Sequence, residues 1–438
     1  MLLNAADKAL WRLALPMIFS NITVPLLGLV DTAVIGHLDS PVYLGGVAVG
    51  ATATSFLFML LLFLRMSTTG LTAPAWGAKD PQRLARALVQ PLALALGAGV
   101  LIILLRLPLI DLALHIVGGS EAVLEQARRF LEIRWLSAPA SLANLVLLGW
   151  LLGVQYARAP VILLVVGNLL NIVLDLWLVM GLRMNVQGAA LATVTAEYAT
   201  LIIGLLMAKR VLTLRGVSLA MLKNAWRGDL RRLLALNRDI MLRSLLLQLC
   251  FGALTVFGAR LGSDIVAVNA VLMTMLTFTA YALDGFAYAV EAHSGQASGA
   301  RDGSQLLEVW RAACRQSGMV ALAFALIYSL AGQYIIALLT SLPSLQQLAD
   351  RYLIWQTILP VVGVWCYLLD GMFIGATRGA EMRNSMAVAA AGFAVTLLTL
   401  PVLGNHGLWL ALAVFLALRG LSLALIWRRH WRRGTWFS

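Results

Sequence analysis

Apolar runs long enough to cross a bilayer recur from one end of this chain to the other, separated by short polar or basic connections. About twenty residues of helix, rising 1.5 Å each, cover a hydrocarbon core about 30 Å thick. Lipid offers backbone groups no partners, so each run must satisfy its own N–H and C=O groups as a helix. A transmembrane barrel is excluded, because its strands would read as alternating segments of about ten residues. Composition points the same way: 61% of the 438 residues are hydrophobic and 12% charged, where soluble chains carry about 25% charged residues.

Twelve spans are predicted, at roughly residues 10–37, 42–68, 83–112, 122–152, 156–180 and 186–209, then 231–261, 264–293, 306–338, 346–375, 381–401 and 406–428. The basic connection "KRVLTLRGVSLAMLKNAWRGDLRR" divides them. The expected architecture is an all-α polytopic membrane protein: twelve transmembrane helices in two pseudo-symmetric six-helix bundles around a central cleft. The N-terminal lobe takes residues 1–210, a linker 211–230 and the C-terminal lobe 231–438. The net charge of +13 does not imply nucleic acid, since the basic residues sit at helix ends and in short loops. Lys79, Arg83, Arg86, Arg158, the linker cations, Arg301, Arg311, Arg315, Arg378, Arg383 and the C-terminal arginines all fall on one side. Opposite loops are nearly free of them, Arg128, Arg129 and Arg134 excepted. The positive-inside rule then puts both termini in the cytoplasm. No signal-peptide cleavage pattern follows the amphipathic N-terminus, so the first helix is expected to be retained. Cys250, Cys314 and Cys366 lack metal spacing and read as packing residues without a disulfide.

An internal repeat supports the two halves. Shifting the sequence by 222 residues lays "VIGHLDSPVYLGGVAVGATATSFLF" over "VFGARLGSDIVAVNAVLMTMLTFTA", and "AWGAKDPQRL" over "ASGARDGSQL". Twelve identities fall between positions 31 and 84, among them Gly36 with Gly258, Gly77 with Gly299 and Asp80 with Asp302. Six helices per half is even, so the halves enter from one side and are related by an axis along the membrane normal.

The run "GNLLNIVLDLWLVMG" (residues 167–181) carries Asn168, Asn171 and Asp175 at i, i+3 and i+7, one helix face. An aspartate at the centre of a span costs about 2.5–3.5 kcal/mol to insert, so the stripe should face the bundle interior or water. Asp31 in span one, Asp175 in span five and Thr193 in span six each stand six residues from an outer helix end, roughly 9 Å below that interface. With Asn171 a turn deeper, they form an all-oxygen set suited to Na⁺ or to a shared proton. Interhelical hydrogen bonding alone is the other reading of these residues and of Asn144 and Asn168. The repeat favours a functional role: Asp31, Asn171 and Asp175 meet Ala253, Phe393 and Leu397, so the cluster belongs to one half. The second half has Asp284 near mid-span, with Glu291 and Asp370 nearer the cytoplasmic end. With Tyr281 these could bind a cationic substrate or form an inner gate; Glu291 could instead pair with His293 or a loop arginine. Pro16 and Pro25 lie before Asp31 and permit span one to bend. No nucleotide-binding loop, zinc motif or nucleophile elbow is present.

"PMIFSNITVPLLGLVDTAVIGHL", "LGGVAVGATATSFLF", "GLTAPAWGAKD" and, in span eight, "YALDGFAYAVEAHSGQASGARD" resemble the multidrug and toxic compound extrusion (MATE) family, in its DinF-like branch; the likeness covers essentially the whole chain. It implies a multi-pass transporter of the bacterial inner membrane, not an enzyme, that exports amphipathic and cationic small molecules by antiport. It needs no cofactor beyond a coupling ion, H⁺ or Na⁺. Its implied partners are a drug-like small molecule and the lipid bilayer, with no nucleic acid, and it acts as a monomer. Asp31 matches the family's first-helix carboxylate, Asn171 and Asp175 its fifth-helix pair, Thr193 its sixth-helix hydroxyl and Pro16 its bending proline. These four oxygen-bearing residues would also hold Na⁺. Span seven, "SLLLQLCFGALTVFGA", lacks the acid that other branches carry there, which puts the weight on the first half. A lipid or glycan-lipid flippase of the same superfamily is the alternative; cavity-lining arginines would favour it, and the spans show few.

Overall fold

The computed structural model describes residues 4–36, 38, 40–226, 228 and 230–437; the side chains of residues 23–33, 36 and 41, Pro25 and Asp31 among them, lie outside the described residues. The chain folds as helices joined by short turns, with no strand among the described residues. After α1 (Ala5–Gly36) come eleven helices long and apolar enough to cross a membrane. They are α2 (Val42–Gly77), α3 (Pro81–Leu104), α4 (Glu121–Gly153), α5 (Arg158–Gly181), α6 (Asn185–Leu214), α7 (Leu230–Leu261), α8 (Ser263–Gly299), α9 (Gly303–Leu339), α10 (Pro343–Gly375), α11 (Gly379–Leu403) and α12 (Asn405–Arg433). The twelve helices match the predicted spans closely. One difference lies after α3, where a separate helix Arg106–Val117 begins. Pro108 explains it: with no N–H, it cannot bond to Leu104 and continue the ladder.

The duplication extends into the backbone. Lys79 and Arg301, 222 residues apart, both adopt left-handed φ, at 54° and 55°. In the same turns Asp80 N donates to Ala75 O (3.2 Å) and Asp302 N to Ala297 O (3.0 Å). Asp80 then caps α3, accepting from Gln82 N at 3.2 Å and Arg83 N at 3.3 Å. Asp302 caps α9, accepting from Gln305 N at 3.1 Å. A second pair of turns repeats at Gln155 and Thr377, with φ of 63° and 61°. Non-glycine residues avoid this region by about 1–2 kcal/mol, so its recurrence at one offset marks shared architecture.

Contacts group the chain into two units, Ile22–Leu233 and Met1–Asn21 with Leu234–Ser438, so the boundary falls within α1. In the first, small residues let helices close: a Cβ on Gly99 would lie 2.3 Å from Pro139 Cα, and one on Gly149 2.5 Å from Arg65 O. Thr69 Oγ1 donates to Gly149 O there (2.9 Å). Such small-residue seams replace the hydrophobic effect, which lipid cannot supply between helices. Two of the three exceptional arginines are neutralised locally, Arg128 by Asp111 and Arg129 by Glu125 at 2.9 Å. In the second unit the start of α1 seats on α8 and α9. Trp11 meets the edge of Phe286 (4.9 Å between centroids), donates to Gln316 Oε1 (3.0 Å), and Asp7 pairs with Arg315 (3.0 Å). The helix runs unbroken through Pro16.

Candidate functional site

In the first unit α5 and α6 pack side by side. A Cβ on Gly188 would lie 3.2 Å from Leu178 O, and one on Gly167 2.9 Å from Thr200 Oγ1. Those two close approaches fix the antiparallel register, and it sets Thr193 level with residues 173–174, between Asn171 and Asp175. All three are enclosed: Asn171 is 1% exposed, Asp175 0% and Thr193 5%. Asn168, on the same stripe, is half-buried. The Thr193 hydroxyl donates back to Ala189 O (3.2 Å), leaving its oxygen lone pairs as acceptors. Asn171 Oδ1 is buried and has no hydrogen-bond partner among the described residues; an amide oxygen left so costs about 1–3 kcal/mol unless a cation or water satisfies it. Immediately after Asp175 the helix widens into a π turn, Leu176–Gly181, a local irregularity that tends to occur at functional positions.

One turn along α6 is a carboxylate that the sequence reading passed over. Glu197 sits level with residues 169–170 and takes two hydrogen bonds from Asn144 Nδ2, at its backbone oxygen (3.2 Å) and at Oε2 (3.1 Å). Asn144 Oδ1 is buried without a partner among the described residues. Polar groups on α4, α5 and α6 therefore continue from Asp175 towards the Arg158 end of α5. The signal was present in "TVTAEYATL", a lone acid in an apolar run.

The second unit handles charge differently. Asp370 on α10 pairs with Arg243 of α7 at 2.6 Å and with Arg419 of α12; the three are 6%, 6% and 3% exposed. Arg419 also lies over the Phe415 ring at 5.6 Å. Sequence reasoning counted few arginines in the spans, yet Arg65, Arg243 and Arg419 are all buried within them. Glu291 is buried and Asp284 half-buried. His293 bonds to Ala9 O (3.1 Å), and Tyr281 packs edge-on to Phe278 while its carbonyl accepts from Asn21 (3.2 Å). Among the described residues no group of three or more His, Cys, Asp or Glu side chains could hold a metal ion. The oxygen set on α5 and α6 suits a proton or a hard monovalent ion instead.

The MatE family model matches residues 16–177 and 240–403. The chain is 87% identical over 436 residues to DNA damage-inducible protein F of Escherichia coli (strain K12), spanning 100% of this chain and 95% of that protein. It is 23% identical to a probable multidrug resistance protein NorM of Acinetobacter baylyi, covering 96% and 94%. Among solved structures, a MATE crystal structure in the bent conformation superposes with a TM-score of 0.84 at 24% identity, over 98% of this chain and 96% of that one.

Proposed function

The chain belongs to the MatE family of multi-pass, non-enzymatic transporters, and on that premise we propose that it is an antiporter exporting amphipathic, cationic small molecules in exchange for H⁺ or Na⁺ by alternating access. The observation that carries the coupling reading is the enclosed oxygen set of the first unit: the unmatched Asn171 Oδ1, fully buried Asp175 and the Thr193 oxygen at one level. Asp31 is assigned to the same set on its predicted depth and its family match. Ion or proton entry there offsets the cost of burying these groups, which gives the two ionic states of the site different preferred packings. Glu197 and Asn144 extend the set and are assigned to proton or ion passage.

In the second unit Asp370 already holds two fixed guanidiniums, so exchange with a mobile cation is unfavourable there and its assigned role is structural. Asp284, Tyr281 and Glu291 are left as the candidates for meeting a cationic substrate. Pro16 and Pro25 flank the unit boundary inside α1 and are proposed as its bending points. The charge bias of the loops places both termini in the cytoplasm of a bacterial inner-membrane protein, in which the chain acts as a monomer. The buried arginines favour the alternative, a lipid or glycan-lipid flippase, but two of them are committed to Asp370.

Proteoliposome efflux of a fluorescent organic cation, under separately imposed pH and Na⁺ gradients, tests the proposal. Wild type should move the dye only with one of the gradients. Asp175→Asn and Asn171→Ala should each lower gradient-driven flux at least about tenfold, a loss of about 1.4 kcal/mol in coupling. Flux without a gradient would overturn antiport, and unimpaired variants would overturn the site. Scrambling of labelled lipid without dye efflux would select the flippase.

A further inference from the structure

A second built feature of the first unit lies away from the α5–α6 oxygens, at the basic end of α3. A cavity of about 240 Å³ opens there, lined by Arg83, Arg86 and Arg232 with Gln90, over an apolar floor from Leu71 and Leu233. At about 30 Å³ per water it holds roughly eight, room for a small polyatomic anion. Among the described residues no carboxylate lines it, and none of the three arginines stands in an ion pair. Arg86 Nε is buried without a hydrogen-bond partner among the described residues.

The linker shapes one side. Gln90 Nε2 donates to Ala225 O (3.3 Å), and a Cβ on Gly228 would fall 2.4 Å from Arg86 Nε, so the Gly228 backbone lies close against the guanidinium. Next to this wall Leu219, Trp226 and Leu230 are exposed. Exposed apolar residues with a tryptophan, beside basic groups at a helix end, are the composition of a membrane interface. The arginine pair is not inherited from the duplicated turn. At the 222-residue offset Arg83 and Arg86 become Gln305 and Glu308, while the capping Asp80 and Asp302 are shared.

We propose that this cavity binds a phosphate group, supplied by the head group of an anionic phospholipid in the leaflet on the basic side. Guanidinium forks match phosphate oxygens in pairs, and a dianionic or monoanionic oxygen cluster relieves three like charges held together. Lipid is the favoured source because the exposed Leu219, Trp226 and Leu230 give acyl chains a surface beside the cavity.

The purified full-length protein in neutral detergent, titrated with dioctanoyl phosphatidylglycerol, dioctanoyl phosphatidylcholine or inorganic phosphate and read by native mass spectrometry, tests this. Phosphatidylglycerol should bind saturably and at least about tenfold more tightly than phosphatidylcholine. Arg83→Gln/Arg86→Gln should weaken it at least about tenfold, while Arg301→Gln/Arg311→Gln, which removes the same charge elsewhere, should change it less than about twofold. Should the first double variant fail to fold, Arg232→Gln takes its place with the same expectation. Equal losses in both double variants, or none in either, would overturn the site as mere positive-inside placement. Inorganic phosphate binding alone, as tightly as the lipid and lost in the same variant, would uphold the phosphate site and overturn the lipid as its source.

Discussion

Asp370→Asn probes the second unit most severely. The substitution keeps side-chain volume but removes the single anion that two enclosed guanidiniums share. Breaking a buried ion pair costs about 3–5 kcal/mol, because the surviving charge is left uncompensated in low dielectric. Here two charges lose the same partner, which places the cost towards the upper end. Arg243→Met is the informative contrast: it leaves Asp370 with Arg419 as a complete pair and fills the space with an apolar chain, so it should fall within about 1 kcal/mol of wild type. For a cooperative unit of this size each kcal/mol moves the melting temperature by about 2–4 °C. Asp370→Asn should therefore melt on the order of 10 °C lower in detergent, followed by tryptophan emission, and adding Arg243→Met to it should recover part of the loss. If Asp370→Asn melts within about 2 °C of wild type, or Arg243→Met proves the worse of the two, the triad does not carry the balance argued for it.

Gly99→Ala should destabilise the first unit by about 1–3 kcal/mol, since the new methyl meets Pro139 backbone at 2.3 Å. Gly97→Ala, two residues away with open space around it, should stabilise by about 0.5–1 kcal/mol; thermal melts of both decide whether the seam or general helix propensity governs α3. Arg378→Ala removes donors to Thr435 O (2.8 Å) and Trp436 O (2.9 Å) and a cation stacked 4.9 Å from the Trp436 ring. It should cost about 2 kcal/mol and open the C-terminal segment to carboxypeptidase; digestion no faster than wild type would refute that latch.

The spans were legible because hydropathy and helix length are local properties, and a bilayer admits only one local solution for them. The break after α3 was not, since "LIILLRLPLID" stays mostly apolar through Pro108, with Arg106 alone charged before it, and the missing N–H interrupts the ladder. The partners of Asp370 were illegible for another reason: Arg243 and Arg419 arrive from α7 and α12, and no spacing rule links residues so far apart. Glu197 was readable in principle, as a lone carboxylate in an apolar run, but it lies a turn beyond Thr193 and so falls outside the depth that Asp31, Asp175 and Thr193 share.

The 222-residue offset separates two kinds of polar residue more sharply than burial does. Asp80 and Asp302, or Gln155 and Thr377, occupy matched positions and perform matched backbone duties, capping a helix or turning left-handed. The charged groups within the membrane do not match. Asp175 faces Leu397 in the alignment and Asp370 faces Leu148. A residue required by the fold of a six-helix unit would be required in both units, because both solve the same packing problem in the same solvent. One kept in a single unit, at an insertion cost of about 2.5–3.5 kcal/mol, answers to something that the packing problem does not contain. Asp370 answers to two arginines that its own unit supplies. For Asp175 and Asn171 the proposed answer is an ion from outside the chain, and an Asp175→Asn variant with unimpaired gradient-driven flux would leave their cost without a cause.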